Sequence, residues 1–443
     1  MRAGNSRIMS AAQSQSTLEA KLKALQCHFT WDIDTNRYKL LSLLEKLKDI
    51  GTEEGNIWLG HIYNLQGYIH CKLGLIEDAR RFLSKATEAF RRLRNPVLNE
   101  GPCLVVNYGN LAWLHHQLEE KAKTQTYLSK VETLLNKYPS PSQDVLYPEI
   151  YAEKAWTLMK FGKDKNKLVA DYFQRAIRMQ PDMVEWNTSH VIALAKAYKY
   201  SDKSVEGKIT EKMRMAKEQD PENFYLAALD LEQRARKGEK IEDEARELAR
   251  KVLENPVSSY SGIKVLLRVY KKQSVDEAIA LAEEALAKHP DERYLKRCAA
   301  LCYRWRIVFL HDSIKQSTTH RAISLHKDVI SLYPHSALLK ISLANIYAKS
   351  NQGLAKAEQI YQDLLEKALE PVDKQMIYNY YAKYLNHGRK DYNRSIEYHM
   401  KAAEIQQQSY YQEDSIKILR KIKEKNRSRR CSDIEELLAK LKV

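Results

Sequence analysis

The feature that most constrains this chain is a proline that keeps returning. Pro139, Pro181, Pro221, Pro256, Pro290 and Pro334 follow one another at intervals of 42, 40, 35, 34 and 44 residues. These intervals cluster at one repeat length plus short insertions, and each proline closes a stretch with apolar residues at helical spacing. In IYNLQGYIHCKLGLIEDARRFLSKATE, which begins just after Trp58, small residues fall at Gly67, Gly74, Ala79 and Ala86, with Leu83 between the last two. Small side chains in those places let two antiparallel helices approach closely. The next stretch, NYGNLAWLHHQLEEKAKTQTYLSKVETLLNKYP, aligns Ala112 with Gly67 and closes at Pro139. A helix pair of this size leaves an apolar face open, so successive pairs must stack.

The spacing is that of a tetratricopeptide repeat. It predicts an all-α fold, a right-handed α-solenoid of about nine helix pairs over residues 17–443 with a concave inner surface. Scarce glycine (14) and proline (11) in a chain of 443 residues agree with this. Residues 1–16 are small and polar and are expected to form a disordered tail. Order is expected from Leu18, where LEAKLKALQCHFTW carries leucines at helical intervals. Two later units are SLANIYAKSNQGLAKAEQIYQDLLEK and YNYYAKYLNHGRKDYNRSIEYHMKAAE. Between His311 and Arg321 the pattern weakens, which predicts a loop or a helix extension. A basic segment over 417–430 precedes a short amphipathic helix.

A net charge of +16 implies a surface that attracts polyanions, with nucleic acid the first candidate. Six thinly spread cysteines argue against a disulfide framework and for a reducing compartment. Cys298 and Cys302 read as buried thiols, His115 and His116 as structural, and no metal or cofactor is expected. No apolar run matches a signal peptide or a membrane span, so a cytoplasmic protein with no membrane partner is expected. Met9 offers an alternative start. There is no P-loop, dinucleotide-binding glycine pattern, HExxH or GxSxG, which argues against an enzyme.

One stretch stands out for function. In PEIYAEKAWTLMK, Trp156 and Lys160 are four apart and share a helical stripe. An indole can stack on a base and a lysine can meet a phosphate, although a core tryptophan beside a solvated lysine fits the same spacing. Lys264 lies six before Tyr270 and Arg297 six before Tyr303, so the two occupy one repeat position in consecutive units. Lys196, two before Tyr198, falls four residues further along the same kind of helix. All five side chains are expected to face one inner space.

Several segments carry a resemblance. CHFTW at Cys27–Trp31, YNLQGYIHCKLGLIEDA, GNLAWLHHQLEEKAKTQTYLSKVE, PEI with AWTLMK, DPENFY at Asp220–Tyr225 and YKKQSVDEA at Tyr270–Ala278 resemble the interferon-induced proteins with tetratricopeptide repeats, the IFIT family. The resemblance implies a non-enzymatic antiviral effector that grips the 5′ end of foreign single-stranded RNA, triphosphorylated or capped without ribose methylation, in a basic central channel inside the superhelix, and blocks its translation. It implies that Trp156 stacks on a cap, that Lys160 binds phosphate, and that Asn223 and Tyr225 approach the cap or first nucleotide. Ile192 and Glu185 match residues near the cap pocket, and Lys196 and Lys264 stand where RNA-binding members carry arginine. Departures from the pattern are Asn166 in place of a phosphate-contacting tyrosine, Arg297 and Cys298 in place of a His-Gln pair, and Leu43 in place of a glutamine. A further departure is that the chain stops soon after its basic tail, where members usually continue with another helix pair that makes contacts of its own. Other family members or translation initiation factors are candidate partners. The rival expectation is a repeat scaffold whose lysines clamp acidic peptide segments.

Overall fold

The computed structural model describes residues 17–51, 57–92, 101–138, 146–162, 165–198, 203–310, 315–350, 353–367, 370–425 and 430–441. Among these, all regular structure is helical. They gather into two compact units, one running up to Val252 and including Ser258–Gly262, the other comprising Leu253–Val257 and Ile263–Val443. The tail over 1–16 lies outside the described residues.

In the first unit, residues 17–24 are helical and a 3-10 turn spans His28–Thr30. There follow α1 (Arg37–Leu47), α2 (Leu59–Lys72), α3 (Ile76–Arg92), α4 (Leu104–Gln117), α5 (Lys121–Lys137), α6 (Pro148–Phe161), α7 (Asn166–Met179), α8 (Val184–Ala197), α9 (Lys203–Gln219), α10 (Phe224–Arg236) and α11 (Glu242–Glu254). Neighbours in sequence pack as antiparallel pairs, α2 on α3, α4 on α5, α6 on α7. The small residues read from the sequence make this contact possible. A Cβ on Gly67 would stand 2.6 Å from Leu83 Cγ, so only glycine permits that approach of α2 to α3. Ala79, Ala86 and Ala112 have no exposed surface.

The two most distinctive segments pack on each other. A Cβ on Gly109 would lie 2.9 Å from the Cβ of Cys27, so GNLAW presses directly on CHFTW. His28 N donates to Asn110 Oδ1 at 3.1 Å, and the Asn110 amide donates to His28 Nδ1 at 3.0 Å. That leaves Nε2 as the protonated nitrogen, 3.1 Å from Thr157 Oγ1 on α6. Burial holds the His28 ring neutral, its pKa pushed down to about 3. Phe29 stacks on Trp113 at 5.8 Å, and Trp113 Nε1 donates to Leu22 O. CHFTW thus plugs the first pairs and reaches the helix that carries Trp156 and Lys160.

The second unit holds α12 (Ile263–Gln273), α13 (Val275–Lys288), α14 (Arg293–Arg304), α15 (Gln316–Leu332), α16 (Ala337–Lys349), α17 (Leu354–Leu365), α18 (Pro371–Tyr384), α19 (Tyr392–Glu404), α20 (Tyr410–Glu424) and α21 (Cys431–Lys440). α14 and α18 each run into a π turn, Trp305–Phe309 and Leu385–Arg389. Of the weak stretch between His311 and Arg321, the part from Gln316 on is regular helix. Residues 311–314 lie outside the described residues, but α15 is under way from Gln316. Thr319 and His326 share its buried stripe with Ala322, Leu325 and Val329, and a count of apolar residues misses the polar members. Of the basic segment 417–430, the part up to Glu424 lies in α20, which buries Ile416 and Leu419 against Ile434, Leu437 and Leu438 of α21. Residues 426–429 lie outside the described residues. No helix among the described residues is long and apolar enough to cross a membrane.

Candidate functional site

α6 opens with Pro148 in its first turn, where the missing N–H costs nothing, and carries Trp156 and Lys160 on its last turns. Trp156 is fully buried. Trp58 lies nearly parallel to it, with centroids 5.9 Å apart and 15° between the planes. The Lys160 ammonium sits 4.3 Å from the centre of the same ring. This corrects one expectation. The open indole face that the spacing suggested is covered here, because the helix end that brings Lys160 onto the stripe folds its amine over the ring, while Trp58 stacks on it from the start of α2.

Lys160 Nζ donates to the hydroxyl of Tyr260 at 2.5 Å. Tyr260 belongs to the non-helical segment Ser258–Gly262, and two features hold that segment in place. Ser259 N donates to Asp49 O at 2.7 Å. Gly262 adopts φ +82°, and a Cβ there would meet Phe224 O at 2.6 Å, so only glycine lets the segment lie against the start of α10. Tyr225, in the first turn of α10, meets Tyr260 edge-on at 6.4 Å. The exposed Lys196 of α8 reaches over the Tyr225 ring at 5.7 Å. Trp156, Lys160, Lys196 and Tyr225 therefore form one cluster in the first unit, centred on a tyrosine that no repeat pattern indicated.

Its electrostatics are unusual. Burial, reinforced by the like charge of Lys196, pushes the Lys160 pKa down to about 7, with Tyr225 opposing. Burial raises Tyr260 to about 12, so its hydroxyl is neutral at physiological pH. A cationic donor and a hydroxyl donor are thus held together in a confined place, a combination suited to an anion with several oxygens.

The other residues of the expected pocket divide. Ile192, one turn before Lys196, is buried, and Glu185 is half-buried in the first turn of α8. Asn223 caps α10: its Oδ1 accepts from Leu226 N at 3.0 Å and its Nδ2 donates to Asp220 Oδ2 at 2.9 Å. Both ends of that amide are engaged, so in this structure its work is structural. Asn166 and Leu43 are buried and offer no polar group to an open site.

Lys264 and Arg297 belong to the second unit, where both line a cavity of about 100 Å³ together with Arg304, Cys298 and His326. The Arg297 guanidinium lies 5.1 Å from the Tyr333 ring centre. His326 Nδ1 donates to Ala322 O at 2.8 Å, and burial pushes its pKa down to about 4. The positive charge of the cavity wall therefore comes from the lysine and two arginines. Cys298 and Cys302 are buried thiols, as expected. Among the described residues no cluster of potential metal ligands occurs.

No family model matches the chain. Individual proteins do. The human protein IFIT1 homolog B is 25% identical, over 94% of this chain and 90% of that protein. Human interferon-induced protein with tetratricopeptide repeats 2 is also 25% identical, over 96% and 91%. The chain is thus similar in sequence to these proteins along nearly its whole length. Among solved structures, a monomeric mutant of IFIT1 with Gppp-AAAA superposes with a TM-score of 0.68 at 23% identity, covering 96% of this chain and 99% of that one. The human IFIT1 dimer with PPP-AAAA gives 0.67 at 24% identity, covering 96% and 94%. At such identities the structures establish a shared tetratricopeptide-repeat α-solenoid, the fold expected from the returning prolines. Trp58, Tyr260, Arg304 and His326 were not legible as site residues. Trp58 precedes its helix, Tyr260 lies off any helix, and only the cationic character of Arg304 was available to suggest a role.

Proposed function

We propose that this chain is a non-enzymatic antiviral effector that acts in the cytoplasm and binds the 5′ end of single-stranded foreign RNA, withholding it from translation. The observation that carries this reading is the cluster of the first unit, where Lys160, Lys196 and the Tyr260 hydroxyl converge beside the aromatic faces of Tyr225 and Tyr260. Phosphate oxygens take the cations and the hydroxyl, and a base stacks on tyrosine, worth about 1–3 kcal/mol. Lys264 and Arg297, which share a cavity with Arg304 in the second unit, are assigned to further phosphate contacts. Sequence preference is slight, because phosphates carry no base identity. The relatives support the same reading, since IFIT1 has been solved with both PPP-AAAA and m7Gppp-AAAA, and the human protein appears as a dimer in those structures, so association with family members is part of the proposal.

One short RNA carrying triphosphate, unmethylated-cap, methylated-cap and hydroxyl ends tests it. The triphosphate end is expected to bind at least about tenfold tighter than the hydroxyl end. Indifference to the end, together with protein partners that survive nuclease treatment, would favour the scaffold reading instead.

A further inference from the structure

We propose that this chain selects a bare triphosphate end over a capped one, and that Trp58 sets the choice by occupying the aromatic face a cap base would need. The proposal rests on the 5′-end reading above and adds the identity of the preferred end.

A cap places a second flat base beyond the triphosphate, and holding it requires an aromatic face left open for stacking. Trp156 is the tryptophan beside the phosphate-facing amine, only one turn from Lys160. It exposes none of its surface. Trp58 lies against it at 5.9 Å and 15°, an arrangement that an incoming base would itself adopt. Trp58 is in turn held by His61, which meets it edge-on at 4.9 Å and is wedged against Phe90 at 5.2 Å. His61 also touches Trp156, 6.0 Å away. The stack is therefore built into the packing of α2 against α6 and is not a loose side chain resting on a pocket. Trp58 remains partly exposed, so removing its side chain opens a route to Trp156 without emptying the deep core.

A bare triphosphate makes no demand on that face. Its oxygens need Lys160, Lys196 and Tyr260, and its first base can use Tyr225, which is only partly buried. A capped end must expel Trp58 to reach the Trp156 face, or set its cap base in competition with the first base for the tyrosines. The cost of either falls on the capped ligand alone, which is how an obstruction produces specificity.

The test compares equilibrium binding of one short RNA bearing triphosphate, Gppp, m7Gppp or hydroxyl ends to the full chain and to its Trp58→Ala and Trp58→Phe variants. The wild type is expected to bind the triphosphate end about tenfold or more tighter than either capped end, and excess m7GTP is expected not to displace triphosphate RNA. Trp58→Ala is expected to narrow that ratio about tenfold by gaining affinity for capped ends, and Trp58→Phe to restore the wild-type ratio. Equal wild-type affinity for triphosphate and capped ends overturns the proposal without any variant and leaves the 5′-end reading standing. An unchanged ratio in a Trp58→Ala protein with a normal thermal melt overturns it as well. Equal affinity for all four ends, hydroxyl included, removes the 5′-end reading and this proposal with it.

Discussion

Two desolvated groups on α6 give opposite pH signatures. Lys160 titrates near 7 in the folded chain because its amine is desolvated beside Lys196, whereas an unfolded lysine keeps its proton to an ordinary 10.5. The unfolded state therefore binds more protons between about 7 and 10.5, and this residue makes the fold more stable as pH rises through that window. Glu153, one turn before Trp156, goes the other way. Burial pushes its carboxyl up to about 8, against the opposing donation from Asn64 Nδ2 at 2.8 Å. Asn64 is itself held by Asn107, whose amide donates to Asn64 Oδ1 at 2.8 Å. The folded state keeps a proton that the unfolded state releases above the ordinary 4.5, so stability falls as pH rises from 4.5 to 8. Glu153→Gln preserves an acceptor for Asn64 without an ionisable group. It is expected to flatten the melting temperature between pH 5 and 8 and to raise it at pH 8; an unaltered slope contradicts the assignment. A triphosphate should return the proton to Lys160, so calorimetry at pH 7.5 in two buffers of different ionisation enthalpy is expected to show proton uptake on binding. The Trp156 and Lys160 pairing was legible from sequence because a separation of four fixes a shared stripe. Its covering by Trp58 and Tyr260 was not, because those contacts span 98 and 100 residues respectively and follow no period.

Helix pairs and their connections were the most legible level, since their signal is local and repeated. Gly67 and Ala112 could be aligned before any coordinates because each allows two backbones to approach, and the structure gives Gly67 that role against Leu83. The start of α15 was obscure because threonine and histidine share its buried stripe. Asn223 shows where resemblance and local chemistry part. The motif suggests a pocket residue, whereas its amide caps α10 and ties down Asp220. Asn223→Ala is expected to cost about 1 kcal/mol in urea unfolding, and Asn223→Ser, which still caps and keeps a donor for Asp220, to recover most of it. Full stability in the alanine variant would show that the cap contributes nothing. Gly262 is a stricter requirement. With φ +82° and Phe224 O at 2.6 Å from a would-be Cβ, Gly262→Ala is expected to destabilise by more than about 1 kcal/mol. It should also displace Tyr260, weakening triphosphate binding more than hydroxyl-end binding. A variant of native stability with unchanged selectivity would contradict the role assigned to the Ser258–Gly262 segment.

At the scale of the whole molecule the chain combines a net charge of +16 with cationic clusters built into each compact unit. Excess charge alone attracts any polyanion, and its contribution fades uniformly as salt rises. Placed cations act differently, because they reward one end of the ligand. The distinction separates what composition could reveal, a taste for nucleic acid, from what required coordinates, the convergence of α6, α8, α10 and a short irregular segment on one amine. The central claim is that Lys160 reads the 5′ phosphates, and a double-mutant cycle tests it most directly. Affinities are measured for wild type and Lys160→Ala, each with triphosphate and hydroxyl ends of the same RNA at one salt concentration. The account requires a coupling of at least about 1.4 kcal/mol, so that the substitution costs tenfold more with the triphosphate than without it. Equal losses for the two ends, and hence no coupling, would contradict it.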